Sequence, residues 1–196
     1  MLIYSLLTDL ARQSAAGLRL LLVLTVLLGV GYPAAVWAVA QPMGDRAAGQ
    51  PVRLDGKVVG SALLGQQFEG ERWFHSRPSP NDHDTLASAP SNLGPSSEDL
   101  MSAIAERRAT VAAAEGVDPE QVPADALTAS GSGLDPHISP RYARLQAPRV
   151  ARANGLETRD VLGLIESSTS GRHWGFLGEP GVNVLQLNLA IARERP

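Results

Sequence analysis

Three side chains that together could form a hydrolase site lie close together in the sequence. Ser132, Asp135 and His137 occupy the segment TASGSGLDPHISP, Thr128–Pro140. A serine nucleophile needs a histidine within hydrogen-bond reach and an acid that orients that histidine. Closeness along the chain does not supply this geometry, because known triads draw their members from distant positions. A secreted or membrane-anchored serine hydrolase using Ser132, His137 and Asp135 therefore stays as the alternative function.

The glycines around the serine favour a structural interpretation of the same segment. The order Ser130-Gly131-Ser132-Gly133 does not match the G-x-S-x-G pattern of the α/β-hydrolase nucleophile elbow. Its two glycines could expose backbone amides to an anion, but the third glycine of a phosphate-binding loop is absent. We interpret the segment as a tight glycine loop whose serine and aspartate side chains bond local amides, followed by a proline-bracketed turn.

Composition argues against several other kinds of chemistry. The 196 residues carry a net charge of −3 and a single lysine, Lys57, so neither a nucleic-acid surface nor a P-loop is indicated. Cysteine is absent, which excludes disulfides, cysteine-ligated metals and a thiol nucleophile. The histidines are widely spaced, and the polar run 81–84 lacks the ligand pattern of a calcium loop. No metal site is therefore predicted.

One apolar segment dominates the N-terminal part of the chain. Residues 20–40 carry no charge, and a helix of that length crosses a hydrocarbon core of about 30 Å. A cleaved signal peptide is the alternative, since 38–40 fits an A-x-A site, but the apolar run exceeds the usual signal-peptide core. We predict a short cytoplasmic tail at 1–17, a retained transmembrane helix at 18–40 and an extracytoplasmic domain at 41–196.

Strand and loop signals occupy the first half of the predicted domain. Two short strands are predicted over 51–59, because the dipeptide Asp55-Gly56 between them favours a hairpin turn. Arg72–His75 is predicted as a short aromatic strand. Residues 76–96 are rich in Pro, Ser, Asn and Asp and are predicted as a long loop.

Helix signals occupy the second half, where caps, breakers and apolar spacing recur. The predicted elements are a helix capped by Ser96 or Ser97 that ends at Glu115 before Gly116, a helix over 140–153 kinked or split at Pro148, a helix over 159–169 capped by Thr158, a turn at 176–180 and a helix over 182–192. The predicted fold class is α+β: a single N-terminal transmembrane helix followed by one small extracytoplasmic domain with several helices and few short strands.

Six segments, in this order along the chain, resemble the KdpC family, the C subunit of the bacterial high-affinity potassium-transporting (Kdp) P-type ATPase complex. The segments are SALLGQQF (61–68), WFHSRPS (73–79), SNLGPS (91–96), TASGSGLDPHISP (128–140), RVA (149–151) and GFLGEPGVNVLQLNLA (175–190). The resemblance covers nearly the whole chain and includes the single N-terminal span.

The resemblance implies a non-catalytic role in ATP-driven potassium uptake. The family's complex joins a channel-like potassium-binding subunit, a phosphorylated P-type ATPase subunit, a very small accessory subunit and this single-span subunit in the cell (inner) membrane. KdpC-like subunits are described as assembly factors and as catalytic chaperones that raise the ATP affinity of the ATPase subunit in a transient ternary complex. This sequence lacks a DKTGT-type phosphorylation motif, so ATP hydrolysis is assigned to the P-type ATPase subunit. No cofactor is expected to bind stably to this chain, with ATP reached only through the ternary complex.

The predicted topology conflicts with direct contact to nucleotide, because ATP is cytoplasmic and the domain is placed outside. No nucleotide-binding residues are assigned for this reason. We expect instead that the domain braces or caps the outer mouth of the channel-like subunit. The motif residues expected to be structural or partner-facing are Arg77, Asn92, Gly94, Pro95, Ser130, Gly131, Ser132, Gly133, Asp135, Pro136, His137, Gly178, Glu179 and Asn183.

Overall fold

The computed structural model of the chain describes residues 2–194, which fall into two compact units with a boundary between Ala48 and Gly49. The first unit is helical throughout most of its length. Its elements are α1 (Leu2–Val26), a π-helical turn (Leu27–Gly31), α2 (Tyr32–Ala40) and a 3₁₀ turn (Gln41–Arg46).

The apolar segment of this unit is confirmed as a helix that ends at Ala40. It begins already at Leu2, so the predicted tail is helical as well. Tyr4–Arg46 is the one candidate membrane span among residues 2–194, and the side chains of its apolar part contact no protein core. Within it, the N–H of Tyr32 donates to the carbonyl of Leu27 across the π-helical turn, directly before Pro33, which has no N–H.

The second unit opens with the predicted hairpin. Strands β1 (Pro51–Leu54) and β2 (Lys57–Ser61) pair antiparallel, with one register shift between Val52 and Arg53. Both turn residues, Asp55 and Gly56, have positive φ, at 50° and 78°. This is the backbone that a two-residue hairpin turn of the primed type requires, and Asp-Gly supplies it at low cost.

Two long helices begin and end at the predicted caps. Helix α3 (Glu98–Glu115) starts where the Ser97 hydroxyl accepts a hydrogen bond from the N–H of Leu100, and it stops at Gly116 in the left-handed conformation. Helix α4 (Pro140–Asn154) is capped by Ser139 in the same way and stops at Gly155.

The split predicted at Pro148 is wrong, since α4 continues through it, and the alternative of a kink there stays a prediction. Pro148 removes the N–H that would bond the carbonyl of Arg144. Both residues lie on the exposed side of the helix, where water can take the place of the missing donor.

A three-stranded antiparallel sheet forms where the sequence predicts only helices and loops. Its order is β3 (His137–Ile138), β5 (Gly181–Asn183), β4 (Thr169–Ser170). The helix predicted over 182–192 therefore begins as the central strand and becomes helical only as α6 (Val184–Glu194). The helix predicted over 159–169 is α5 (Thr158–Ser167), which ends before β4. The cap predicted at Thr158 is wrong, since Glu157 precedes the helix and Thr158 is its first residue. The strands β3 and β4 pair with β5 on its two sides, and this pairing holds all three segments extended.

The aromatic strand predicted at Arg72–His75 is wrong, because side chains rather than another strand bond its backbone. Asn188 bonds both the N–H and the carbonyl of Phe74, at 2.8 and 3.0 Å. Gln146 does the same for His75, at 2.7 and 3.2 Å. Arg149 donates to the carbonyl of Trp73. The segment is thus an extended chain paired with side-chain amides and a guanidinium.

The core of the second unit surrounds Phe74, which is completely buried. Its other members come mainly from α4, α5 and α6, and they include Ala147, Val150, Val161, Ile165, Leu187 and Ile191. The long segment 76–96 contains neither helix nor strand, as predicted, and Ala112 is the buried apolar residue that α3 contributes to this core. The α+β fold class is confirmed.

Replacing Gln146 tests whether side-chain pairing stabilises this core. In Gln146→Leu the side-chain volume is nearly kept, but the buried backbone groups of His75 and one guanidinium nitrogen of Arg149 lose their partner. We expect the free energy of unfolding to fall by about 3 kcal/mol, measured by urea denaturation of the full chain in detergent. Arg144→Leu, on the exposed side of the same helix, is the control and changes stability by less than about 0.5 kcal/mol. Equal effects of the two substitutions would contradict the pairing.

Candidate functional site

Residues 128–136 of the segment 128–140 fold as a tight loop that leads into β3 and is held by its own polar side chains. The Ser132 hydroxyl accepts a hydrogen bond from the N–H of Leu134 at 3.1 Å. The Asp135 carboxylate accepts one from the N–H of His137 at 2.9 Å. These are the local amide contacts predicted for the serine and aspartate side chains.

The loop brings together two members of the hydrolase triad but not the third. The Nδ1 atom of His137 lies 3.5 Å from Oδ1 of Asp135. No hydrogen bond joins Ser132 to His137 in residues 2–194, and the Ser132 hydroxyl is engaged with Leu134 instead. The geometry needed to transfer a proton from serine to histidine is therefore absent from this arrangement.

Arg77 is the partner that the sequence left unassigned for Asp135. Its Nη1 donates to Oδ2 of Asp135 at 3.1 Å, and its Nη2 donates to the carbonyl of Thr128 at 3.4 Å. Because Arg77 follows the extended segment 71–75 by two residues, the pairing of that segment with the helices also sets the position of this guanidinium. The resulting ion pair is half-buried.

The electrostatics of Asp135 follow from these contacts. Burial by itself works to raise the pKa of the carboxyl, but hydrogen bonds from His137 and the charge of Arg77 outweigh it. The pKa of Asp135 is therefore lowered from its ordinary value of 3.8. The carboxylate stays ionised at neutral pH and acts as an acceptor rather than as an acid.

Part of the motif set lines an open cavity of about 400 Å³, which we call the motif groove. It brings together five residues singled out in the sequence: Arg77, Asp135, His137, Gly178 and Glu179. The ends of β3, β4 and β5 form its floor, since Ile138, Ser170 and Gly181 also line it. Residues from three separate parts of the chain thus meet at one edge of the small sheet.

Sequence reasoning missed Asp125 and His173, which also line the motif groove. The Asp125 carboxylate accepts hydrogen bonds from both the N–H and the hydroxyl of Ser139, at 2.7 and 3.0 Å. A serine directly before Pro140 does indicate a helix start, but nothing near Asp125 in the sequence indicates that it would bind that serine. His173 lies in a segment predicted neither as helix nor as strand.

Several motif residues lie outside the groove and have structural contacts. Asn92 has a positive φ of 55°, and the carbonyl of Gly94 accepts from the N–H of Ser97, so this stretch, with Pro95, shapes the approach to α3. Asn183 donates to the carbonyl of Ala62 at 2.8 Å and thereby ties β5 to the end of the β1–β2 hairpin. The carbonyl of Pro136 accepts from Val184, and Ser130 is buried.

The glycine loop also fastens the long polar segment 76–96. The carbonyls of Ser132 and Gly133 accept hydrogen bonds from the hydroxyls of Ser88 and Ser79, at 3.0 and 2.8 Å. Gly133 has a positive φ of 71°, and a Cβ atom there would meet Oδ1 of Asn81. Gly131, by contrast, has open space around it and no positive φ. Of the two glycines, only the second is required by the backbone.

Two of the carboxylates that line the groove are paired with arginines. Asp135 is paired with Arg77, and both carboxylate oxygens of Glu179 accept from Nη2 of Arg172 at 2.8 Å. No cluster of three or more His, Asp or Glu side chains within residues 2–194 is arranged to hold a metal ion. Asp135 and Glu179 are thus each engaged with an arginine, and Asp125 is engaged with Ser139. The arrangement can present hydrogen-bonding groups to a partner.

Substituting the two glycines distinguishes a glycine that the backbone conformation requires from one that is only part of the sequence motif. Gly133→Ala forces a side chain into the left-handed region and against Asn81, at an expected cost of about 1–3 kcal/mol in unfolding free energy. Gly131→Ala is the matched control, two residues away on the same loop, and is expected to cost less than about 0.5 kcal/mol. Thermal unfolding of the two full-length variants measures the difference. A control variant as unstable as Gly133→Ala would refute the assignment.

The lowered pKa of Asp135 makes its contribution to stability depend on pH. A carboxyl whose folded pKa lies below 3.8 stabilises the fold above that pH, and the contribution is lost as pH falls through the folded value. Between pH 5 and pH 2, the stability difference between wild type and Asp135→Asn should shrink once the pH falls below about 4. Urea unfolding across this range measures it. A difference that stays constant to pH 2 would show that Asp135 is not held ionised by its partners.

The chain matches one protein family over most of its length. The family model described as "KdpC: K+-transporting ATPase, c chain" matches residues 14–193. A relative from Kineococcus radiotolerans is 56% identical over 97% of this chain and 98% of its own length, and one from Mycobacterium bovis is 50% identical over 93% and 98%. One from Cereibacter sphaeroides is 48% identical over 87% and 91%. All three are named potassium-transporting ATPase KdpC subunit. The chain belongs to the KdpC family.

Proposed function

We propose that the chain is a non-catalytic subunit of an ATP-driven potassium-uptake complex, and that its globular unit braces the outer mouth of a channel-like subunit. Family membership supports the potassium-transporting complex. The observation that carries the bracing role is that the serine, aspartate and histidine of the motif make structural contacts. Ser132 and Asp135 accept hydrogen bonds from backbone amides, and Asp135 also pairs with His137 and Arg77. Such contacts fix the shape of a surface.

Rigidity of the globular unit supports the same proposal. A brace must keep its shape under load, and here the extended segment 71–75 is fixed to two helices by buried side-chain hydrogen bonds. Arg149 and Glu115 add an ion pair at 2.9 Å in which the side chains are 4% and 3% exposed. A buried pair of this kind has a defined geometry, because separating its members leaves a charge without a partner.

The orientation and the partners are parts of the proposal. We place the N-terminus in the cytoplasm and the globular unit outside the cell membrane, with a P-type ATPase subunit, a channel-like subunit and a small accessory subunit as partners. An effect on ATP affinity would then reach the ATPase subunit through the complex and not through a nucleotide site on this unit. Protease digestion from each side of sealed vesicles tests the orientation directly.

Co-purification tests the proposed role. A tagged full chain, expressed in potassium-starved cells, is expected to bring down a P-type ATPase subunit in stoichiometric yield. A truncated chain that keeps residues 1–48 and lacks the globular unit is expected to support less potassium uptake, because the brace is lost. Failure of the full chain to retain any ATPase subunit would refute membership of such a complex. Full potassium uptake with the truncated chain would refute the bracing role but not membership of the complex.

Activity-based labelling tests the hydrolase alternative. A fluorophosphonate probe reacts with an activated serine, and we expect no labelling of the full chain, because Ser132 does not contact His137. Ser132→Ala is the control. Labelling of the wild type that disappears in this variant would favour the hydrolase over the non-catalytic role.

A further inference from the structure

A short hairpin with an apolar tip projects from the sheet between β4 and β5. Residues 172–179, called the aromatic hairpin below, are closed by two backbone hydrogen bonds of 2.9 Å between His173 and Leu177. At the base, Arg172 holds Glu179 through contacts of 2.8 Å to both carboxylate oxygens. The hairpin is therefore preformed and braced at its root.

The tip exposes large apolar side chains that the fold of the globular unit does not use. Trp174 is 86% exposed and Phe176 is 67% exposed, and Leu177 beside them is also exposed. Trp174 has a positive φ of 52° and Gly175 one of 82°. A bulky residue in this backbone region is a strained exception, and such strain is retained where a particular presentation of the side chain is needed.

The charge on the hairpin suits an apolar or interfacial environment. Arg172 and Glu179 are the only Arg, Lys, Asp or Glu residues in 172–179, and they neutralise each other at the base. The tip itself, Trp174-Gly175-Phe176, has no charged side chain. Tryptophan is enriched at the level of lipid headgroups, because its ring is largely apolar while its N–H remains hydrated.

The strand that follows the hairpin, β5, is connected by hydrogen bonds through Ala62 to the segment that begins the globular unit. Gly49 and Gln50 begin this unit, and their carbonyls accept hydrogen bonds from Ser61 and Ala62. The carbonyl of Ala62 in turn accepts from Asn183 at the end of β5. Gly175 lies eight positions before Asn183, which bounds the distance between their Cα atoms at about 26 Å.

We propose that the tip of the aromatic hairpin inserts into the headgroup layer of a phospholipid bilayer. A bilayer is the one partner that a chain with its own membrane span always has beside it, and a tether of a few residues keeps its effective concentration high. An exposed, uncharged tip of tryptophan and phenylalanine suits this layer, which has no fixed shape to match. The proposal rests on the span and is independent of whether the unit braces a partner subunit.

The absence of cysteine from the chain allows a site-specific test in the full-length protein. Trp174→Cys carries a nitroxide label at the tip, and Leu86→Cys carries one at a 95% exposed apolar position in the long segment 76–96. Both variants are reconstituted into phosphatidylcholine–phosphatidylglycerol vesicles. Collisions of each label with oxygen, which concentrates in lipid, and with a water-soluble nickel chelate are then measured.

The label at 174 is expected to collide severalfold more with oxygen, relative to the nickel chelate, than the label at 86. Equal, water-like accessibility at both positions would overturn the proposal. A label at 174 shielded from both agents would overturn it as well, since that result indicates burial against protein. As an independent readout, brominated lipids should quench less tryptophan emission in Trp174→Ser than in wild type, and identical quenching would contradict insertion.

Discussion

The backbone of Glu71–His75 has no strand beside it, and buried side chains take the place of that strand. Gln146 and Asn188 each present an amide that bonds both the N–H and the carbonyl of one residue, as a neighbouring strand would. Asn154 and Arg149 add donors to further carbonyls of the same segment. These contacts join residues that lie between 71 and 114 positions apart in the sequence. They fix the loop-rich first half of the globular unit to α4 and α6, and with it the guanidinium of Arg77 in the motif groove.

The same constraint explains why charged and polar groups occupy a small core. Arg149 is buried, yet its nitrogens are shared among Glu115, Gln146 and backbone carbonyls. Burial raises the pKa of Glu115, and the charge and hydrogen bond of Arg149 oppose that rise. An arginine is suited to this position because its planar guanidinium can donate in several fixed directions at once. Replacing strand pairing by such contacts makes the helices and the extended segment depend on each other, since neither satisfies its polar groups alone.

Local signals in the sequence predicted the elements that depend on local contacts. Asp55-Gly56 marked its hairpin, and Ser97 and Gly116 marked the ends of α3, because turn and cap chemistry acts within four residues. The tight loop at Ser132 was predicted for the same reason, and six ordered segments identified the family. Elements whose partners are distant were missed: the three-stranded sheet, the side-chain pairing of 71–75, and the contact of Arg77 with Asp135 across 58 positions. No short-range pattern encodes which amide will meet which backbone.

The π-helical turn at Leu27–Gly31 lies near the middle of the apolar segment, and its effect extends along the whole span. Such a turn adds one residue to the regular repeat, and each residue rotates a helix by about 100°. A row of side chains along one face of α1, such as the row that contains Leu24, is therefore rotated relative to the corresponding row of α2, which contains Ala35. A neighbouring helix that follows one row in the first half loses it in the second. The candidate span thus offers two differently oriented contact surfaces, and a single straight neighbouring helix cannot follow both.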